Sequence, residues 1–206
     1  MKGDLIVLVP DRNTEAAVAG ILERHPSLHT RPVAARIIVH PEKDPGCRLH
    51  GHELLRLYQN DFRFALLIFD REGCGAEEST RTELERLAEE TIASSGWKGR
   101  CGVVITDPEL EIWVWSDSPR VDQAVGWLGR RPGLREWMQR QGFELTSAGK
   151  PLRPKEALEA ALRVARKPRS SALYRELALK VGFERCLDPA FIKLKELLRA
   201  WFPTPA

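Results

Sequence analysis

Hydrophobic residues in this chain fall into short unbroken runs, separated by segments whose apolar positions recur at helical spacing. Leu5-Ile6-Val7-Leu8-Val9 and Phe64-Ala65-Leu66-Leu67-Ile68-Phe69 are the strongest runs. Arg36-Ile37-Ile38-Val39-His40 and Gly102-Val103-Val104-Ile105-Thr106 are two more. Runs of this kind, apolar without alternation, predict strands buried on both faces of a parallel sheet, here over 4–10, 36–40, 64–69 and 102–106. Thr14 is suited to cap a helix over 15–24, with Ala16, Ala17, Val18, Ile21 and Leu22 as its apolar face. The turn residues of Pro41 to Gly46 predict a loop, followed by a short helix over 52–59. The clearest helix spans 76–95, where Leu84, Leu87, Ala88, Thr91 and Ile92 share one face and Ser94-Ser95-Gly96 ends it.

The segment 107–115 sends mixed signals. Asp107 as N-cap, Pro108 after it and early glutamates mark a helix start, which the reading favours, whereas Ile112, Trp113, Val114 and Trp115 suit a strand. Beyond Gly129 the alternation of strand and helix stops. Arg130-Arg131-Pro132-Gly133 and Thr146 to Pro151 are linker-like, and helices are expected over 134–141, 154–166, 171–181 and 189–201. Asp188-Pro189 opens the last of these and Gly182 closes the one before. The pattern therefore predicts an α/β domain over 1–129 and a helical extension over 130–206.

Charge sharpens that division. Residues 1–129 carry 15 Lys and Arg against 21 Asp and Glu, a balance of −6, while residues 130–206 carry 17 against 8, a balance of +9. An acidic part suited to a metal is joined to a basic part suited to phosphate, although solvated Arg-rich helix faces would give the same count. The apolar runs are far too short to span a membrane, and Met1-Lys2-Gly3-Asp4 does not open like a signal peptide. With runs so short, no membrane partner is expected. Four scattered cysteines, Cys47, Cys74, Cys101 and Cys186, without a Cys-x-x-Cys pair, point to a reducing cytoplasm.

The candidate chemistry lies just after two of the strands. Asp11-Arg12-Asn13-Thr14-Glu15 follows the first and Asp70-Arg71-Glu72 follows the third. In an open α/β sheet the ligand crevice lies outside the carboxyl ends of the strands, and carboxylates converging there suit a hard divalent cation. The plainer alternative is that Asp11 and Asp70 cap backbone N–H groups, as aspartates after strands commonly do.

These clusters resemble the two acidic motifs of Toprim domains. The family's Glu-Gly-x-Thr-Asp/Glu corresponds to Asp11-Arg12-Asn13-Thr14-Glu15, and its Asp-x-Asp to Asp70-Arg71-Glu72. Pro108 to Trp113 and the tail from Ala172 to Leu198 are similar to segments of Toprim-related proteins encoded beside restriction and phage-defence genes. The resemblance implies a Toprim-like, mainly parallel sheet flanked by helices and Mg²⁺- or Mn²⁺-dependent phosphodiester chemistry. It implies Asp11 as general base, with Glu15 beside it as a catalytic candidate, and Asp11, Asp70 and Glu72 as metal ligands. The sequence departs from the family by a shorter Asp11, a longer Glu72 and Arg12 in place of glycine.

Arg12, Arg71, Arg163, Arg166, Lys167 and Arg169 are the candidate nucleic-acid contacts. Glu109 and Glu111 read as helix N-terminal charges rather than ligands. Cys47, His50 and His52 match no zinc-finger spacing, and Trp113, Trp115, Trp127, Trp137 and Trp201 read as packing residues rather than base-stacking platforms. The expected function is a metal-dependent nuclease, or nuclease subunit, of bacterial anti-phage defence, acting on nucleic acid alongside other defence proteins. The alternatives are a catalytically inactive Toprim-like scaffold component, and an enzyme acting on a small phosphate compound.

Overall fold

The four apolar runs lie side by side. In the computed structural model, which describes residues 3–116, 118–184 and 186–204, they form β1 (Gly3–Val9), β2 (Ala35–Val39), β3 (Phe62–Asp70) and β4 (Cys101–Thr106). All pair in parallel, in the spatial order β2-β1-β3-β4. The fold is α/β. Parallel neighbours need crossover helices, and these bury both faces of the sheet, which is why the strands are apolar without alternation.

Successive side chains of a strand point to opposite faces. Leu5, Val7, Val9, Leu66, Ile68 and Val104 face α1 (Arg12–Glu23), α8 (Ser171–Lys180) and α9 (Pro189–Trp201), with Phe191, Leu194, Leu198 and Phe202 in the same core. Ile6, Leu8, Leu67, Phe69, Val103 and Ile105 face α3 (Lys43–Arg56) and α4 (Arg81–Ile92). The segment after Gly129 is helical, as its pattern predicts, and its last two helices complete one layer of the sheet. A further core joins α8 to α5 (Pro119–Val125), α6 (Leu134–Arg140) and α7 (Pro154–Ala165) around Trp115, Trp127, Met138, Leu158 and Tyr174. A single turn, α2 (His25–Leu28), links α1 to β2. No helix among the described residues is long and apolar enough to cross a membrane.

Four local expectations differ from what is found. Helix α1 starts at Arg12 rather than 15, because Asp11 and not Thr14 is its N-cap. Helix α3 begins at Lys43, inside the expected loop. Pro45 is tolerated because first-turn N–H groups have no intrahelical acceptor, and Gly46 lets the helix pass close to the buried His40 ring. Helix α4 starts at Arg81 rather than 76, because Thr80 and Glu83 form a capping box there. The segment 107–115 contains only a 3-10 turn, Leu110–Trp113, preceded by an extended Glu109. Its glutamates are bonded to partners elsewhere in the chain instead of capping a helix of their own.

Candidate functional site

The strand order places a topological switch point between β1 and β3. The chain leaves β1 for β2 on one side and returns to β3 on the other, so the two connections part and open a crevice at the C-terminal ends of the strands. Leu8 is opposite Leu67 in the register; Asp70 ends β3 three residues after Leu67, and Asp11, three residues after Leu8, lies just past the end of β1. The sheet therefore delivers both aspartates to the same edge.

Each aspartate is hydrogen-bonded. Asp11 is the N-cap of α1, and its Oδ1 accepts from Thr14 N at 2.8 Å and from Thr14 Oγ1 at 3.0 Å. Asp70 Oδ1 accepts from Leu110 N at 2.8 Å and from the buried Thr106 hydroxyl. The N–H of Asp70 in turn donates to Asp44 Oδ1 at 2.9 Å. Asp44, in the first turn of α3, thus joins the crevice as a third carboxylate. Burial, followed by the charge of Asp44, holds the Asp70 carboxyl well above the usual range; Glu111 and Glu109 add to this and the Thr106 bond opposes it. Burial likewise raises Asp44, with Asp11 adding to the repulsion, against the Asp70 N–H and Lys155.

Glu109 and Glu111 come from the turn after β4 and are nearly inaccessible. Glu109 Oε1 accepts from Lys155 N at 2.9 Å, with the Lys155 ammonium 3.5 Å from Oε2, and burial raises its carboxyl. Glu111 accepts from the Tyr174 hydroxyl and from Arg169 Nη2 at 2.6 Å. Together these residues line a cleft of about 720 Å³. Its carboxylates are Asp11, Glu42, Asp44, Asp70, Glu72, Glu109, Glu111, Glu156 and Glu159; its cations are Lys43, Arg153, Lys155 and Arg169.

Of the residues singled out from sequence, Asp11, Asp70, Glu72 and Arg169 line this cleft. Glu72 is exposed at its mouth. Glu15 does not line it; its carboxylate pairs with Arg12 at 2.6 Å. Arg71 is bound to Asp107 at 2.8 Å and to the Glu77 carbonyl at 2.6 Å, which directs it away from the cleft. Arg163 and Arg166 lie at the far end of α7, and Lys167 there donates to the Ala124 carbonyl at 2.7 Å. Arg169 is committed to Glu111 and Tyr174 and stands 3.6 Å from Glu159.

Sequence reasoning missed Asp44, Lys155 and Arg153, and assigned Glu109 and Glu111 to a helix start. The available signal for Asp44 was that Glu42-Lys43-Asp44 follows a strand end just as the other two clusters do. Cys47 is buried under the sheet, and His50 and His52 stand at 3.7 and 3.9 Å from Glu53. Among the described residues, no three His, Cys, Asp or Glu side chains are arranged to close on one metal ion.

Fold and cleft together define an α/β protein with a carboxylate-rich crevice at the switch point of a parallel sheet. Comparison with known proteins gives no matching family model, no matching curated protein and no matching solved structure.

Proposed function

We propose that this chain hydrolyses phosphodiester bonds of nucleic acid with a divalent cation, Mg²⁺ or Mn²⁺, held by Asp70, Asp44 and Asp11 at the C-terminal edge of the sheet. The observation that carries this reading is Asp70 itself. Its carboxylate stands at the switch point among other carboxylates, bonded to one hydroxyl and one amide rather than to a basic side chain. Like charges crowded in this way repel, and a divalent cation converts that repulsion into ligation.

The donor set is all oxygen, which fits a hard cation. The carboxylates do not close on a single point, so the ion would keep several waters, as Mg²⁺ commonly does. Glu72 at the mouth would reach it through one of them. Among the described residues, both hydrogen bonds to the Asp11 carboxylate fall on Oδ1, so Oδ2 would hold the ion or take a proton from an attacking water. Bound there, the cation supplies charge neutralisation for a phosphoryl transition state and orients the nucleophile. The Toprim-like motifs support the same chemistry, and the setting in anti-phage defence with partner proteins rests on the resemblance of Pro108 to Trp113 and of Ala172 to Leu198 alone. The four free cysteines support a cytoplasmic site.

A second reading, a non-catalytic Toprim-like scaffold, is favoured by one observation: Asp11, Asp44 and Asp70 all make bonds that also serve the fold. Calorimetric titration with Mn²⁺ separates the two. The wild type should bind Mn²⁺, Asp70→Ala should lose it while keeping its circular dichroism spectrum, and an oligonucleotide should be cut only by the wild type with metal. A wild type that ignores Mn²⁺ leaves the scaffold reading standing.

A further inference from the structure

The carboxylate floor of the cleft would repel a polyanion, so the substrate must be received by its opposite wall. That wall is the start of α7 and the segment that follows its end. Its cations are Arg153, Lys155 and Arg169. They differ sharply in how far they are already committed.

Arg169 is consumed by Glu111 and Tyr174, both buried, and removing it would leave a buried carboxylate without its counter-charge. Lys155 is only loosely engaged: its ammonium is 3.5 Å from Glu109, longer than a good hydrogen bond, and its side chain is 44% exposed. Among the described residues, Arg153 pairs only with Glu156 one turn on, at 2.8 Å, with the two side chains 69% and 56% exposed. Such surface pairs contribute little, because water screens them and both side chains must be held in place. Arg153 can therefore turn to an incoming anion at little cost, and Lys155 can do so at a larger one, because its buried partner Glu109 then keeps, among the described residues, only the bond from the Lys155 N–H.

The backbone at this helix start is not itself the receptor. Pro154 has no N–H, and the N–H of Lys155 is already bonded to Glu109 Oε1. That bond has a different consequence. Asp70 accepts from Leu110 N, and Glu109, the neighbour of Leu110, accepts from Lys155 N. Two hydrogen bonds and one peptide link thus tie the start of α7, which carries Arg153 and Lys155 beside Glu156 and Glu159, to Asp70 on the carboxylate floor.

We propose that Arg153 and Lys155 are the substrate-positioning residues of this cleft, gripping the phosphates of a nucleic-acid backbone that flank the one presented to the Asp70 side. The inference rests on the phosphodiesterase reading above and adds to it the residues that receive the substrate. Neither residue lies in the acidic motifs, and neither is needed to hold a cation.

The test uses the full chain, with Mn²⁺ titrated by calorimetry and a labelled oligonucleotide titrated by fluorescence anisotropy in Ca²⁺ at several salt concentrations. Arg153→Ala/Lys155→Ala should bind Mn²⁺ at least as tightly as the wild type, since a cation near Asp44 and Asp70 is gone, but hold the oligonucleotide about tenfold or more weakly. Its log–log salt slope should be shallower by about one per residue removed. Arg153→Lys/Lys155→Arg should restore both, which a purely structural role at the helix start would not require. Under turnover the double alanine variant should raise KM more than it lowers kcat. An unchanged affinity and salt slope in a variant that still binds Mn²⁺ would overturn this inference, as would a wild type that binds no oligonucleotide. A wild type that binds oligonucleotide through these two residues but not Mn²⁺ would instead overturn the cation reading and leave the cationic wall in place.

Discussion

Asp44 Oδ1 accepts a hydrogen bond from the backbone N–H of Asp70 at 2.9 Å, which ties the first turn of α3 to the end of β3. Two carboxylates from different crossovers are thereby kept close despite their mutual repulsion. This contact explains why Asp44 belongs to the cleft although it lies in neither acidic motif.

Substitutions at Asp11 should separate its two roles. Asp11→Asn keeps an oxygen able to accept from Thr14 and removes the charge, so stability should be nearly unchanged while Mn²⁺ affinity and any cleavage fall strongly. Asp11→Ala loses the cap as well and should cost about 0.5–2 kcal/mol in urea unfolding. Equal stability losses in the two variants would contradict this assignment.

The raised carboxyls of Asp70 and Asp44 set a pH dependence. Between an unfolded value of about 3.9 and their higher folded values, the native protein holds more protons than the unfolded chain, so stability falls as pH rises through that window. Without metal, Tm should therefore increase on moving from neutral pH towards about pH 5. Saturating Mn²⁺ should flatten or invert this slope, because the bound ion keeps the carboxylates ionised. Thermal melts across pH, with and without Mn²⁺, provide the measurement.

Asp4 acts in the opposite direction. The Arg31 guanidinium, bonded to it at 2.7 and 2.8 Å, holds its carboxyl down to about 2, with the Ala34 N–H assisting against partial burial. Stability from this group is fully present above its unfolded value of about 3.9 and is lost as pH falls towards the folded one. Asp4→Asn should therefore weaken the protein at neutral pH and reduce the steepness of its acid unfolding. The comparison is one of acid titrations followed by circular dichroism.

The outer edge of β4 is closed by side chains. Ile105 N donates to Glu85 Oε1 and Val103 N to Glu89 Oε1, each at 3.0 Å, while Lys193 of α9 bridges the two carboxylates at 3.1 and 2.8 Å. Glu85 is 3% exposed and is also held by Arg81 at 2.7 Å. Glu85→Ala leaves the Ile105 N–H and Arg81 without their acceptor, takes one of two acceptors from Lys193, and should cost about 3 kcal/mol. It also opens a strand edge, so light scattering should show concentration-dependent association that the wild type lacks.

The sequence by itself determined the sheet. Leu5–Val9 and Phe64–Phe69 are apolar at every position because both their faces are covered, and only a parallel sheet between helix layers asks for that. It also marked the sheet edge that matters, since Asp70 follows its run directly and Asp11 follows the other after Pro10. What it did not determine was the company those aspartates keep. Asp44 lies in a stretch whose Pro45 and Gly46 signal a loop, and only the packing of α3 beside His40 makes it a helix start. Glu109 and Glu111 carry local signals for a helix start, but their partners Lys155, Arg169 and Tyr174 lie far along the chain, where no local pattern announces them. Local periodicity records which face of an element is buried; which charges meet across the cleft depends on the tertiary structure, because those contacts join residues remote in sequence and are fixed only once the helices after Gly129 dock on the sheet.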